Sequence, residues 1–120
     1  MSETRYCEVS DLLEARAPLA EMRHHIHQHP ELSYEEVDTS RYVAQKLEGW
    51  GYQVTRHVGG HGVVASLTAG TSGRTVGVRA DMDALPIHEQ TGLAYASVHD
   101  GKMHACGHDG HTTVLLGAAQ

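Results

Sequence analysis

Residues 103–111, MHACGHDGH, place a thiol, three imidazoles and a carboxylate in nine consecutive positions, with two glycines that let the backbone turn tightly between them. A Cys and a His two residues apart can reach one ion when the backbone is extended or turning, so this stretch carries metal-site chemistry. The run that follows, TTVLLGAA at 112–119, reads as the opening turns of a buried helix. The ligands are therefore expected in a strand-to-helix loop, where backbone N–H groups point outward and a thiolate is favoured. Against this stands a plainer reading, in which Cys106 is a small buried hydrophobe and His108 a hydrogen-bonded loop residue. A solvated His-rich tag is excluded by the apolar helix that follows.

The remaining composition narrows the partners. A length of 120 residues allows one domain or part of one, and a 40% hydrophobic fraction is enough for a core. A formal charge of -6 with nine Lys plus Arg leaves no basic footprint, which argues against nucleic acid and against an anionic membrane surface. Small molecules or peptides suit such a chain better. The two cysteines, Cys7 and Cys106, show no disulfide spacing and fit a reducing compartment. The first 22 residues contain no apolar run long enough for a signal peptide, no stretch is long enough to span a bilayer, and a cytoplasmic location is expected.

Taken in order, residues 1–9 read as a frayed lead-in. Ser10 before Asp11-Leu12-Leu13-Glu14 is a helix-start signature, but Pro18 ends or kinks a helix begun there, so the continuous helix is expected from about Pro18. Leu19, Met22 and Ile26 recur at helical spacing until Pro30 stops the pattern. Ser33 with Glu36 three residues on forms a capping-box pattern for a second helix, with Val37, Tyr42 or Val43, Ala44 and Leu47 inward and Gly49 or Gly51 at its end. Residues 52–58 alternate as a strand, 59–62 turn, and 63–67 form a second strand, close enough for a hairpin. Residues 74–80 are expected as a third strand, with Asp81 and Asp83 at its carboxyl end, where open α/β sheets place their sites. Residues 88–102 form a long excursion that reads as a functional loop.

Asp81 and Asp83 are two apart and project to the same side of an extended backbone. They could bind a metal, orient a metal-bound His, or be solvated at a strand end. His24, His25, His27 and His29 fall together on the first helix. His25 and His29, at i and i+4, could share a metal, but no H-E-x-x-H accompanies them and a structural role is preferred, with His27 or His29 bonding the turn at Pro30. A thiol protease would use Cys106 as nucleophile, yet neither family signature surrounds it. A zinc nucleoside deaminase needs H-x-E and P-C-x-x-C, and neither occurs.

Three segments, RHHIHQHPELSYEE (23–36), GVRADMDALPI (77–87) and MHACGHDGHT (103–112), resemble the successive N-terminal motifs of the M20 metallopeptidase family, and more narrowly its amidohydrolase branch. That branch includes hippurate hydrolases, N-acyl-L-amino-acid amidohydrolases and auxin-conjugate hydrolases. The resemblance runs from about Arg23 to Gln120. It implies a two-metal site in which Cys106 and His108 are ligands and Asp83 is the catalytic-site carboxylate that orients a ligand. Asp81 would occupy the position where other branches carry a metal-binding His. Two divalent ions, zinc or manganese with nickel or cobalt also admitted, would activate water against the amide bond of an N-acyl amino acid.

The expected fold is α/β, the N-terminal part of an α/β/α zinc-peptidase-like catalytic domain: two helices, three strands and a helix. Relatives in the family continue well past the Cys106–His111 motif, so residues 1–120 are expected to lack the lid and dimerisation domain and the C-terminal part, and to be inactive alone. The partner expected is a small N-acyl amino acid, with no nucleic acid, no membrane, and homo-oligomerisation left to the complete protein. The competing reading is a non-catalytic metal-binding or partner-binding fragment of a truncated gene.

Overall fold

The computed structural model describes residues 7–120, in the order α1 (Val9–Glu14), α2 (Arg16–Gln28), α3 (Val37–Gly49), β1 (Gln53–Val58), β2 (Gly62–Ser66) and α4 (His108–Ala119). The opening of the expected lead-in, residues 1–6, lies outside this range. Helix α1 begins at Val9, one residue before the Ser10 start read from sequence, because the Asp11 carboxylate accepts the Glu8 N–H at 2.9 Å. None of its residues is buried. Pro18 marks the break expected of it: α1 stops at Glu14, four residues before the proline, and α2 starts at Arg16 with Pro18 in its first turn, where the missing N–H has no helical acceptor to lose. The chain therefore forms three helices before the hairpin, not two.

Helix α3 starts by a different device from the expected Ser33–Glu36 box. The Glu31 carboxylate accepts the backbone N–H groups of Asp38 (3.0 Å) and Thr39 (2.6 Å) and the Thr39 hydroxyl, placing a negative charge on the positive end of the helix. Burial acts to raise the Glu31 pKa, but the Thr39 hydroxyl and the amides of Asp38, Thr39 and Val37 outweigh it and hold the carboxyl below its usual range. Ser33 is thereby free for another partner. At the other end, Gly51 adopts φ 88°, its N–H bonds Glu48 O and the Tyr52 N–H bonds Leu47 O, both at 3.0 Å. This paired closure is a Schellman motif with glycine at the left-handed position.

Val43, Ala44 and Leu47 face inward on α3 as expected, whereas Val37 is exposed. Met22, Val43, Leu47 and Leu116 form the buried core, with Leu19, Trp50, Tyr52, Val54 and Val63 packed around it. Helix α4 crosses α2 closely enough that a Cβ at Gly117 would lie 3.0 Å from Leu19 Cδ2. The Tyr52 hydroxyl donates to Ala119 O at 2.7 Å and ties the start of the hairpin to the end of α4. Strands β1 and β2 pair antiparallel, Gln53 opposite Ser66 and Thr55 opposite Val64, with an irregularity between Thr55 and Val58 where His57 has φ 60°.

Residues 74–80 do not form the third strand. Among the described residues they have no ladder partner, and a strand exists only through pairing. Val76 and Val78 stand exposed as a result. The α/β character stands, as a helical layer with a small antiparallel sheet. No helix among the described residues is long and apolar enough to cross a membrane.

Candidate metal centre

Two short backbone bridges bring the distant motifs together. Ala84 N–H bonds Glu31 O at 2.7 Å in a parallel bridge between Leu32 and Ala84, and Leu85 exchanges both backbone bonds with Met103 at 2.9 and 3.0 Å. Segment 81–85 is thus held between the first half of the α2–α3 connection and the start of the His/Cys cluster. Gly107, at φ 81°, then reverses the chain into α4; a side chain there would be strained although the space is open. The Thr112 hydroxyl donates to Asp81 O at 2.9 Å and pins the first turn of α4 against the aspartates.

Asp83 and His108 meet across this junction. Asp83 Oδ1 lies 2.8 Å from His108 Nδ1 and its carbonyl oxygen 3.0 Å away, while Ser33 Oγ donates to Asp83 Oδ2 at 2.8 Å. Both oxygens facing Nδ1 can only accept, so Nδ1 is the donor and Nε2 is the ring nitrogen turned toward Asp81, the orientation in which a carboxylate presents a histidine to a metal. The Ser33 bond, ahead of that from His108, holds the Asp83 carboxyl below its ordinary pKa despite partial burial.

Asp81 Oδ2 lies 3.9 Å from His108 Nε2, and Asp81 Oδ1 lies 3.2 Å from His111 Nδ1. One ligand atom from each of Asp81, His108 and His111 falls within 4.8 Å of the others. The bond to His111, with His108 and Arg79 nearby, holds the Asp81 carboxyl below its ordinary pKa. Cys106 is exposed with a free thiol and stands outside this trio. Of the residues singled out from sequence, then, the fold joins Asp83, Asp81 and His108, adds His111, and leaves Cys106 beside them in the chain but apart from the cluster.

Behind the trio runs a buried network that the sequence did not reveal. His27, 5% exposed, directs Nδ1 to Asp109 Oδ2 at 2.9 Å and Nε2 to Glu89 Oε1 at 3.0 Å. Arg23 donates to the same Asp109 oxygen at 3.1 Å and to the Tyr95 hydroxyl at 3.2 Å. Glu89 also accepts from the Ser97 amide and the Thr91 hydroxyl. Burial works to raise the Asp109 and Glu89 carboxyls, yet these donors win and both sit below their ordinary pKa. The turn at Pro30 is not held by His27. His29 Nδ1 lies instead 2.7 Å from His25 O, closing the end of α2. The readable signal for His27 was its position beside Ile26 on the inward face, where an imidazole needs partners.

His104 is 4% exposed, and neither of its ring nitrogens has a partner among the described residues. Burial lowers its pKa and keeps the ring neutral. A neutral, unpartnered imidazole packed between the Asp83–His108 pair and the Asp109 network leaves donor and acceptor capacity at the heart of the site.

Fold and donor set together define the class: a mixed helix and sheet protein with one carboxylate and two imidazoles close enough to share an ion. The sequence model of peptidase family M20/M25/M40 matches residues 77–120, the span that contains every member of the trio. The chain is 48% identical over 112 residues to the hippurate hydrolase of Campylobacter jejuni, covering 93% of this chain and 29% of the relative. It is 44% identical over 107 residues to the N-acyl-L-amino acid amidohydrolase of Geobacillus stearothermophilus, covering 89% and 29%. Its structure superposes with a TM-score of 0.83 and 42% identity on the Bacillus subtilis YXEP protein, a dinuclear metal binding peptidase of the M20 family, over 89% of this chain and 30% of that one. The chain belongs to the M20 metallopeptidase family and spans under a third of the length of the relatives it matches.

Proposed function

We propose that this chain carries the metal-binding N-terminal part of a hydrolase that cleaves the amide bond of N-acyl amino acids. The observation that carries the reading is the 2.8 Å contact of Asp83 Oδ1 with His108 Nδ1, which leaves Nε2 ready to ligate. The donors fit a divalent ion on chemical grounds. Imidazole and carboxylate suit zinc, manganese, nickel or cobalt, and a thiolate from Cys106 would add a preference for zinc. In this proposal Cys106 and His108 hold metal, and Asp81 and His111 stand close enough to contribute. Asp83 acts as a positioning carboxylate, keeping the proton on Nδ1. Ser33 fixes its other oxygen.

A pair of divalent ions supplies a nucleophilic water at neutral pH and polarises the amide carbonyl. The chain's own contribution is placement: the bridges at Ala84 and Leu85 fix the aspartates, and the Arg23–His27–Asp109–Glu89 network fixes the first turn of α4. The acyl-amino-acid substrate class rests on what the hippurate hydrolase and N-acyl-amino-acid relatives are named for. The far wall of the substrate cleft, the lid and any dimer contact belong, in this reading, to parts of the protein beyond this stretch. Reduced, unpaired cysteines suit the cytoplasm.

The test measures metal content and hydrolysis of an N-acyl amino acid panel on this chain and on a version joined to the remaining length found in its relatives. Two metals and turnover are expected in the joined protein, with Asp83→Asn lowering metal affinity about 10–100-fold. Metal binding without turnover in the joined protein would favour a non-catalytic binding role. Absence of metal binding would end both readings.

A further inference from the structure

The 88–102 loop leaves the metal centre and returns to it. Leu85 and Met103 pair at its base, the first two residues from Asp83 and the second next to His104. Between them the chain is mostly surface, with Leu93 and Val98 exposed, yet the side chain of Glu89 is only 3% exposed. A carboxylate is costly to bury unless its oxygens are taken up, and those of Glu89 are, by His27, the Ser97 amide and the Thr91 hydroxyl. Tyr95 is the second residue the loop turns inward. Its ring stacks on His24 with centroids 3.7 Å apart and planes 9° apart, meets His27 edge-on at 5.5 Å, and has the Arg23 guanidinium over it at 5.3 Å.

These two inward residues converge on one atom. The Tyr95 hydroxyl accepts from Arg23 Nη2 at 3.2 Å, while Nη1 of the same guanidinium donates to Asp109 Oδ2 at 3.1 Å. Glu89 Oε1 lies 3.0 Å from His27 Nε2, and His27 Nδ1 lies 2.9 Å from that same Asp109 oxygen. Two side chains of the loop, each through one side chain of α2, thus reach a single oxygen on the residue next to His108. None of them belongs to the apolar core of Met22, Val43, Leu47 and Leu116.

We propose that Tyr95 and Glu89 are positioning residues for the metal centre and couple closure of the 88–102 loop to metal binding at His108, an inference that rests on the metal-binding part of the function proposed above. Asp109 Oδ2 anchors the first turn of α4, and His108 Nε2 has to come within about 2.0–2.1 Å of an ion. A displacement of about 0.5 Å is enough to lose the geometry of such a site. Coupling of this kind is reciprocal: an ion that needs the turn in place also holds the loop shut. The loop's own backbone reports closure, because the Ser97 N–H bonds Glu89 Oε1 at 3.0 Å and the Val98 N–H bonds Gln28 O at 2.9 Å.

The probe is Zn²⁺, titrated into the full chain by calorimetry with His108→Ala as the blank, alongside amide hydrogen exchange read by nuclear magnetic resonance. Tyr95→Ala and Glu89→Gln should each weaken the His108-dependent binding about tenfold, and Tyr95→Phe, which keeps the stack and loses the hydroxyl, about threefold. Tyr52→Phe removes a hydroxyl bond from the far end of the same helix and should leave affinity as it was, which separates positioning from general loss of stability. In the unsubstituted chain, saturating Zn²⁺ should slow exchange at the Ser97 and Val98 amides about tenfold or more, the counterpart of the affinity change. Should Tyr95→Ala not fold, Tyr95→Phe and the exchange in the unsubstituted chain decide. No His108-dependent Zn²⁺ binding in the unsubstituted chain ends the metal reading and this proposal with it. Binding that is indifferent to Tyr95→Phe and Glu89→Gln, equal weakening by Tyr52→Phe, or loop exchange that ignores the bound ion overturns the proposal alone.

Discussion

At His27 both ring nitrogens face carboxylates, and a neutral imidazole, with a single N–H, can satisfy only one of them as donor. The ring and Arg23 are tied to Asp109 and Glu89 in one hydrogen-bond network around a buried imidazole. Removing one member strands the others, a change that costs about 3–5 kcal/mol in buried pairs. His27→Ala should lower the urea midpoint accordingly at unchanged slope. A midpoint equal to that of the unsubstituted chain would show that the network carries no stability. Residues of this kind were poorly legible in the sequence, because the partners lie 62 and 82 positions away and only the fold brings them together. Asp83 and His108 were legible: a D-x-D at the end of an apolar run and a His beside glycines announce chemistry locally. His111 was named only as part of the cluster, since nothing in its spacing said that Asp81 would come within 3.2 Å of it.

At the scale of elements, the helices were legible from period and punctuation, while their starts were not. Apolar spacing on α2 and α3 and the glycines after α3 announce themselves in sequence; the Glu31 cap of α3 does not, because it lies six residues ahead of the helix and depends on the turn between. This cap has a pH signature. Glu31, Glu89 and Asp109 all sit below ordinary values of 4.5, 4.5 and 3.8 in the folded state. Carboxylates depressed on folding add stability above those values and lose it as pH falls through the lower folded ones, since the unfolded chain then binds more protons. Stability should accordingly drop on acidification below about pH 4.5. Glu31→Gln should remove about 0.5–2 kcal/mol near neutrality, in the range of lost helix caps, and flatten the acid limb. An unchanged acid limb in chemical denaturation across pH 3–7 would remove Glu31 from the account.

For the whole molecule, the expected third strand shows what sequence pattern alone leaves open. Residues 74–80 have strand-forming composition, but pairing is a property of neighbours, and none is present among the described residues. The radius of gyration, 15.9 Å, exceeds the roughly 13.6 Å expected of a compact domain of this length. Val76 and Val78, 86% and 66% exposed, mark a face that makes no core contact. Hydrogen exchange should therefore be fast at the amides of 74–80 and slowest in α2 and α3; slow exchange at 76–78 would contradict the unpaired assignment. Whether Cys106 and His108 together hold a divalent metal is decided by adding cobalt(II) to the chain and recording its absorption spectrum. A sulfur-to-cobalt charge-transfer band is expected that disappears in Cys106→Ser, with affinity falling in His108→Ala. Cobalt bound with no sulfur band and no sensitivity to Cys106→Ser would assign the ion to Asp81, His108 and His111 alone and contradict the role given to Cys106.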